Sequence, residues 1–366
     1  MSEVKTIDLQ YLVRFRSGQD YKHVQDDAGE VPVIGSGGPF TAASDHLYDG
    51  ESVLFGRKGT IDRPLYINGR FWTVDTMFYT ELSEKIVGRW LYYWATTVPF
   101  KLYSTDTALP SMTSSTLGRL KVPVLSVDTQ RRIADYLDRE TGEIDAMIDK
   151  LGELADNLKS RKSAFLDNAF DELYEKKTAP LWSILEPVKD QGYPDEEVLS
   201  VYRDYGVILK SSRDDNLNRT PDNLNPYQLV LPGDVVINKM KTWQGSLGVS
   251  EYRGIVSPDY QVARPTTDLE HRYIHWVLRA PRMISQYRNR SIGVRPAQWR
   301  LYWDEMSTLH VPVPPLNDQR RIADHLDDVT SKIDAMLAKV AQFKDLLTER
   351  RAAVITDVVT GRKDVA

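Results

Sequence analysis

"TQRRIADYLDRETGEIDAM" occupies Thr129–Met147, and "DQRRIADHLDDVTSKIDAM" occupies Asp318–Met336. Thirteen of the nineteen positions are identical at a constant offset of 189, so the 366-residue chain writes one amphipathic element twice. The match extends upstream, where "LKVPVLSVDTQRR" (Leu120–Arg132) parallels "LHVPVPPLNDQRR" (Leu309–Arg321). A long internal repeat sets the architecture and is read before any local motif. Downstream, apolar Leu137, Ile144, Leu151, Leu158 and Phe165 recur every seven residues, as do Leu326, Ile333, Val340, Leu347 and Val354. Ile148 and Leu337 add a second apolar row four residues on. Five proline-free heptads predict a coiled-coil helix in each half. The plainer alternative is one amphipathic helix packed on a globular core. Two equal seams in one chain are most simply satisfied by each other.

The helix ends carry their own signals. Asp128 and Asn317 (or Asp318) are the expected N-caps, after Pro123 in one half and Pro314-Pro315 in the other. Thr141 and Thr330 are expected to cap a second, longer helix after a short prelude. From Thr141 to about residue 172 is roughly thirty residues, or about 45 Å of helix. Gly361, in "VVTGRKDVA", is a natural C-cap for the second copy.

The segments before the helices are weakly alike. "YDGESVLFGRKG" (Tyr48–Gly59) aligns with "VLPGDVVINKMK" (Val230–Lys241): a glycine turn at Gly50 or Gly233, an acid, then a β-rich run. "TVDTMFY" (Thr73–Tyr79) parallels "SPDYQVA" (Ser257–Ala263), and "LYYWATT" and "YIHWVLR" both read as a short helix with a tryptophan. The expected fold is therefore α+β. Two mixed α/β globules alternate with two long helices that form an antiparallel coiled coil, related by a pseudo-two-fold internal repeat. The expected boundaries are 1–125, first globule; 126–176, first helical repeat; 177–313, second globule; and 314–366, second helical repeat. The join between halves is expected at "DELYEKKTAP" (Asp171–Pro180).

Composition narrows the class. An apolar fraction of 41% supports real cores, and no apolar run is long enough for a membrane span. The opening "MSEVKTIDLQ" is charged and lacks the apolar region of a signal peptide. The chain has no cysteine, which excludes disulfides and cysteine metal sites and suits a reducing cytoplasm. There are six histidines, read as having no HxxxH or HExxH spacing, so a zinc enzyme is not expected. The net charge of −5 hides a distribution: residues 126–176 carry 8 basic and 13 acidic groups, whereas residues 177–313 carry 17 and 16. Nucleic-acid affinity depends on where the cations sit rather than on their sum.

A duplicated chain with antiparallel helices matches the two-fold symmetry of a DNA backbone, and two heads can each meet a site on one duplex. What the halves share serves geometry or a common partner. What differs serves what differs in the target. The helices agree closely while the globules have diverged, which suits two readers on one ruler. A duplicated enzyme would keep matching chemical residues in its globules, and none is found.

These elements together carry a resemblance. "QRRIADYLDRETGEIDAMI", "LLTERRAAVITDVVTG", "GRKGTIDRPLY", "INKMKTWQGSLGVSEYRGIVSPDY" and "RPAQWRLYWDEM" resemble the specificity (S) subunit of Type I restriction-modification systems, over essentially the whole chain. The resemblance implies a non-catalytic subunit that binds a split, asymmetric double-stranded DNA sequence with an unread spacer of fixed length. It implies assembly with two methylation subunits, which bind S-adenosylmethionine and methylate adenine. It also implies a restriction subunit, using ATP and magnesium, that translocates and cuts DNA. No cofactor is expected in this chain.

The candidate DNA contacts follow from residue chemistry. "RAPRMISQYRNRSIGVRPAQWRLYW" (Arg279–Trp303) holds six arginines, four interleaved aromatics and no acid. Arginine grips phosphate or lies bidentate on guanine, and glutamine pairs with adenine in the same manner. Arg288, Arg290, Arg295, Arg300 and Gln298 are therefore candidates, on a stretch expected to be an ordered loop. A solvated basic surface over buried tryptophans is the bland alternative. In "NKMKTWQG" (Asn238–Gly245), Lys239 and Lys241 are expected on one strand face, Gln244 in the turn and Trp243 in the core. In the first globule "FGRKGT" supplies Arg57 and Lys58. "LPSMTSSTLGRL" supplies Ser111 and Thr113 as hydroxyl donors, against a plain helix-capping role. "LKSSRDDNLNRT" (Leu209–Thr220) offers Lys210, Arg213 and Arg219 diluted by aspartates. Arg131, Arg132, Arg320 and Arg321, placed alike in both "QRRIAD" copies, are candidates for docking one partner twice.

Enzyme readings lack their residues. "VIGSGGPF" (Val33–Phe40) is not GxGxxG, and "NPY" at Asn225–Tyr227 is one proline short of an amino-methyltransferase motif. Pro258-Asp259 lacks the ExK that a nuclease would place after it. Two other classes stay open: an enzyme with unfamiliar motifs, and a coiled-coil scaffold that does not bind DNA. A specificity subunit of a methylation-only system is a further variant.

Overall fold

The computed structural model describes residues 5–104, 110–203, 205–213, 220–295 and 298–365. Two compact units divide the chain: Met1–Gly152 with Ala341–Ala366, and Glu153–Val340. Two long helices, Val127–Asn168 and Leu316–Val359, each contribute their N-terminal part to one unit and their C-terminal part to the other.

In the first unit the strand Ser52–Gly56 is buried throughout, as a β-branched and aromatic run between a glycine turn and a glycine exit predicts. It sits inside an antiparallel four-stranded sheet ordered Val13–Ser17, Met77–Leu82, Ser52–Gly56, Leu65–Ile67. The buried Ser52 hydroxyl donates to the Thr80 carbonyl and accepts Thr80 N–H, while the Thr80 hydroxyl donates to the Val53 carbonyl and accepts Val53 N–H, so neither hydroxyl is left bare. A second, mixed sheet runs Gly38–Ala43, Val31–Gly35, Arg70–Thr73, Tyr48–Asp49. A ribbon, Thr6–Asp8 on Lys121–Pro123, closes the head before the long helix begins.

The second unit repeats this frame. Its four-stranded antiparallel sheet is ordered Leu185–Val188, Tyr260–Pro265, Val235–Asn238, Leu247–Val249. Position for position it matches the first sheet of the other head, and the parallels drawn from sequence for Ser52–Gly56 and Met77–Leu82 are borne out. Its closing ribbon pairs Thr178–Pro180 with His310–Pro312. The equivalent bonds are kept: Leu9 N–H to Leu120 carbonyl at 3.0 Å, and Leu181 N–H to Leu309 carbonyl at 2.9 Å. The segment expected as the join between halves lies within the second unit. Asp171 pairs with Arg282, and Thr178–Pro180 is a strand.

Within each unit the long-helix segments run antiparallel. In the first, Tyr136 meets Lys363 and Asp145 meets Arg351 at 2.8 Å, so later residues of one helix face earlier residues of the other. In the second, Lys162 meets Asp334 at 2.6 Å and Phe165 packs on His325. Of the ten heptad positions, Leu137, Ile144, Leu326, Ile333, Val340 and Leu347 are buried, and Leu151, Leu158, Phe165 and Val354 are half-buried. Truncating any of the buried leucines or isoleucines among them to alanine is expected to cost about 2–5 kcal/mol per substitution.

The helix ends differ from expectation. Each helix is continuous, and Thr141 and Thr330 are buried inside it, their hydroxyls donating to the carbonyls of Leu137 (2.7 Å) and Leu326 (2.6 Å) one turn back. A threonine whose hydroxyl is satisfied by the preceding turn does not interrupt the ladder. The first N-cap is Ser126, whose hydroxyl accepts from Thr129 N–H at 3.2 Å, and Asp128 lies in the first turn. The second helix starts at Leu316, with the Asp318 and Gln319 N–H groups on the Pro315 carbonyl, so neither Asn317 nor Asp318 is its cap. Gly361 ends the second helix with a left-handed φ of 70°, as expected.

Each head rests a short helix on its long helix: Gly88–Thr96 in the first unit and His271–Arg279 in the second. Trp90, Leu91 and Tyr93 enter a core with Ile133, Leu137, Ile355 and Val358. Tyr273, Ile274 and Val277 enter one with Ala323 and Leu326.

Candidate nucleic-acid interface

In the first head, the chain leaves the strand at Gly56 and folds back so tightly that a Cβ there would sit 2.1 Å from the Thr60 carbonyl. Arg57 and Lys58 ride on this turn. Their N–H groups reach the Thr76 carbonyl at 2.8 and 3.3 Å. The Arg57 guanidinium lies over the Phe78 ring and donates to the Asp75 carbonyl at 3.3 Å, while Lys58 is exposed. A second segment crosses them: Met112 N–H donates to the Arg57 carbonyl at 3.0 Å, Gly59 N–H to the Pro110 carbonyl at 2.9 Å, and Ser111 bridges Lys58. The structure therefore brings Arg57, Lys58 and Ser111 together. Thr113 caps the helix Ser114–Gly118, its hydroxyl accepting from Thr116 N–H at 3.1 Å.

In the second head the strand ends at Asn238, so Lys239 and Lys241 stand in the following turn rather than on a strand face. Buried Asn238 organises that turn: its side-chain oxygen takes Met240 N–H, and its carbonyl takes the Thr242 hydroxyl at 2.6 Å. Gly245 closes it at φ 93°, a conformation L side chains rarely adopt. Here too a later segment crosses: Leu301 N–H donates to the Lys239 carbonyl at 2.9 Å. Met112 and Leu301 are 189 apart, both buried, and make the same bond.

The crossing segment of the second head carries the cations. Ile292 and Arg300 pair their backbones, Gln298 N–H turns back onto the Arg295 carbonyl at 2.8 Å, and Trp299 meets Trp243 edge-on at 5.3 Å. Trp243 is half-buried, its indole N–H on the Met240 carbonyl at 3.1 Å, and so is not the core residue expected. Burial and the nearby Arg300 lower the Lys239 pKa, with Asp259 opposing. Lys239, Arg295, Gln298 and Arg300 share this surface, with Gln244 exposed at the turn.

The arginine-rich stretch is not a single loop. Pro281–Arg290 is a helix with Met283 and Tyr287 buried, because proline opens a first turn well and the apolar pair shares a face. Arg288 and Arg290 lie in its last turn, where cations suit the helix end. Two further arginines are committed elsewhere. Arg279 donates to the carbonyls of Leu247 (2.7 Å) and Gly245 (3.3 Å). Arg282 covers the Tyr174 ring at 4.1 Å and pairs with Asp171. A stretch without acids finds its acids in another element, which local sequence does not reveal. Lys210 donates to Thr220 at 2.6 Å and Arg213 stacks on Tyr202 and Tyr205, while Arg219 lies outside the described residues.

Arg131, Arg132, Arg320 and Arg321 are all exposed near the helix starts. Arg131 and Arg321 each pair three residues back, with Asp128 and Asp318, and Arg320 lies 3.6 Å from Glu270. His271 and His275 stand four apart on one helix, a spacing metal ligands use that the sequence reading passed over. His275 is half-buried, accepts from Val249 N–H at 3.3 Å, and its pKa is pushed down to about 3 by desolvation and the neighbouring Arg279. Among the described residues no group of three histidines or carboxylates gathers to hold a metal, and no helix is long and apolar enough to cross a membrane.

The class these features define is a duplicated α+β chain in which two like frames carry unlike contact loops. Residues 1–155 match the family model described as Type I restriction modification DNA specificity domain. The chain is 25% identical over 207 residues to the specificity subunit of the type I restriction enzyme StySPI of Salmonella potsdam; the alignment spans 50% of this chain and 42% of that protein. It shares its fold with a chain from a structure of type I R-M system complex assembly and conformational transition (TM-score 0.69, 14% identity, 97% of each chain covered). The HsdS subunit from Thermoanaerobacter tengcongensis is similar at TM-score 0.52 and 16% identity, over 98% of this chain and 96% of that one. The resemblance read from the sequence is borne out.

Proposed function

We propose that this chain is the DNA-reading specificity subunit of a Type I restriction-modification complex. The observation that carries the reading is the repeated crossing at Arg57 and Lys239. One backbone bond frames hydroxyls and two cations in the first head, and arginines, a glutamine and paired tryptophans in the second. Shared geometry with diverged polar groups is what two readers of different words require. Residues 1–125 and 177–313 serve as the recognition domains, and 126–176 and 314–366 as spacer helices. Arg57, Lys58 and Ser111 meet one DNA segment. Lys239, Lys241, Gln244, Arg288, Arg290, Arg295, Gln298 and Arg300 meet the other, across an unread gap of fixed length. Thr113 serves the frame through its cap before any contact of its own.

The specificity-subunit family is non-catalytic. Two methylation subunits, carrying S-adenosylmethionine, supply adenine methylation, and a restriction subunit supplies ATP-driven cleavage, in the cytoplasm. Arg131, Arg132, Arg320 and Arg321 dock the methylation subunits. Reversing all four charges is expected to abolish co-elution with them, and undiminished co-elution would refute that docking site. For the function itself, methylated adenines are mapped genome-wide in cells with and without the chain. A two-part motif that disappears with the chain supports the reading, and an unchanged methylation map removes it.

A further inference from the structure

Each head is tied to its long helix at two points, by residues 189 apart that lie within the repeated helix segment. The first is a glutamine. Gln130 accepts Val87 N–H at 2.8 Å and donates to the Leu125 carbonyl at 3.0 Å; Gln319 accepts Glu270 N–H at 3.0 Å and donates to the Pro314 carbonyl at 2.8 Å. Val87 and Glu270 are the N-cap residues of the two head helices. The second is an aspartate two turns on. Asp138 takes the Arg89 guanidinium and the Tyr93 hydroxyl (2.6 Å). Asp327 takes the Arg272 guanidinium (2.9 Å) and the Trp276 indole N–H (2.7 Å). In both heads the arginine is the second residue of the helix and the aromatic donor follows four later.

Two points about 12 Å apart along a helix fix direction as well as place, whereas one leaves a swivel. Apolar packing is non-directional and holds the head down without setting its angle. The aspartate pairs are more than one-third exposed, so their contribution to stability is small and does not account for their repetition. The aromatic changed from tyrosine to tryptophan, yet its donor still reaches the same carboxylate. We infer that Asp138 and Asp327 are positioning residues that hold each head at one angle on its helix, and thereby set the gap between the two DNA segments. The gap half of this inference rests on the proposed function; the angle half does not.

The chain has no cysteine, so spin labels on Asp45→Cys in the first head and Glu143→Cys on its helix read that angle in the full-length protein without background. Asp138→Ala, and the milder Tyr93→Phe, are expected to broaden the label distance distribution, and Tyr93→Trp to keep it narrow. Unbroadened distributions in both variants overturn the inference. In cells, Asp138→Ala and Asp327→Ala are expected to leave methylation at the native gap and to add sites whose gap is longer or shorter by a single base pair. Equal loss at every site would make the pairs merely structural and overturn the gap half. Should the unaltered chain direct no two-part methylation, the proposed function falls, and the label distances still decide whether the angle is held.

Discussion

Residues 110–113 and 298–301 occupy the same place in their frames, crossing the turn that follows the equivalent strand. In the first unit the crossing segment brings Ser111 beside Lys58 and then spends Thr113 on a helix cap. In the second it brings Gln298, Trp299 and Arg300 against Lys239 and Trp243. The backbone bond that holds the crossing is common to both, and its donors, Met112 and Leu301, are buried. A frame held by main-chain bonds and apolar anchors constrains few side chains, so the exposed chemistry is free to differ. The acids before the paired strands diverge in the same way. Buried Asp234 holds Arg264 in a bidentate pair at 2.8 and 2.9 Å, while half-buried Glu51 accepts from the Tyr66 hydroxyl and Arg89 N–H.

That last contrast gives the largest expected effect. Asp234→Ala leaves Arg264 and Leu231 N–H without their acceptor and is expected to cost about 3 kcal/mol. Glu51→Gln keeps an acceptor in place and is expected to cost about 1 kcal/mol or less. Denaturant unfolding of the two variants measures the difference, and equal losses would erase the asymmetry.

Acid should separate the units next. His275 is held near 3 when folded against 6.5 when exposed, so between those values the unfolded chain takes up a proton that the folded one refuses. Stability is complete above 6.5 and declines as pH falls, by about 2 kcal/mol at pH 5. The equivalent helix position in the first head is Tyr92, so that head has no imidazole there. Hydrogen exchange in the strand Leu247–Val249 should quicken on going from neutral pH to pH 5, after correction for intrinsic rates, and His275→Gln should remove that change. An unchanged response in the variant would assign the acid sensitivity to other groups.

The smallest effects concern DNA. Replacing Arg288, Arg290, Arg295 and Arg300 with alanine is expected to lower the salt dependence of binding by about 3 in log–log slope. Ser111→Ala is expected to weaken binding by about threefold or less, with no change in that slope. Titrations of the assembled complex at several salt concentrations test both, and equal slopes would show that the two heads do not divide the work as their loops suggest.

Much of this was legible in the chain itself. The heptads of Leu137 and Leu326 gave the seam, because a helix repeats its faces at a fixed period whatever surrounds it. The turn–acid–strand pattern at Gly50 and Gly233 located the matching strands for the same local reason. The "QRRIAD" copies located the helix starts to within a few residues, though the first helix's true cap, Ser126, lay upstream of the acid that seemed suited to it. Where a signal depended on a distant partner, sequence failed. Arg279 and Arg282 looked like free cations and are engaged by carbonyls and by Asp171; Thr141 looked like a cap and is buried within a helix. The aspartate and glutamine ties had one legible trace, an offset of 189 in the helices with a slightly different offset in the heads, and it becomes meaningful only once the partners are seen. Periodicity and turn chemistry act through neighbours in the chain, so the sequence alone determined two like helices and two like frames. Hydrogen bonds and ion pairs between residues tens of positions apart need geometry that no linear pattern contains, so only the tertiary structure decided which cations remain exposed and what ties each head to its helix.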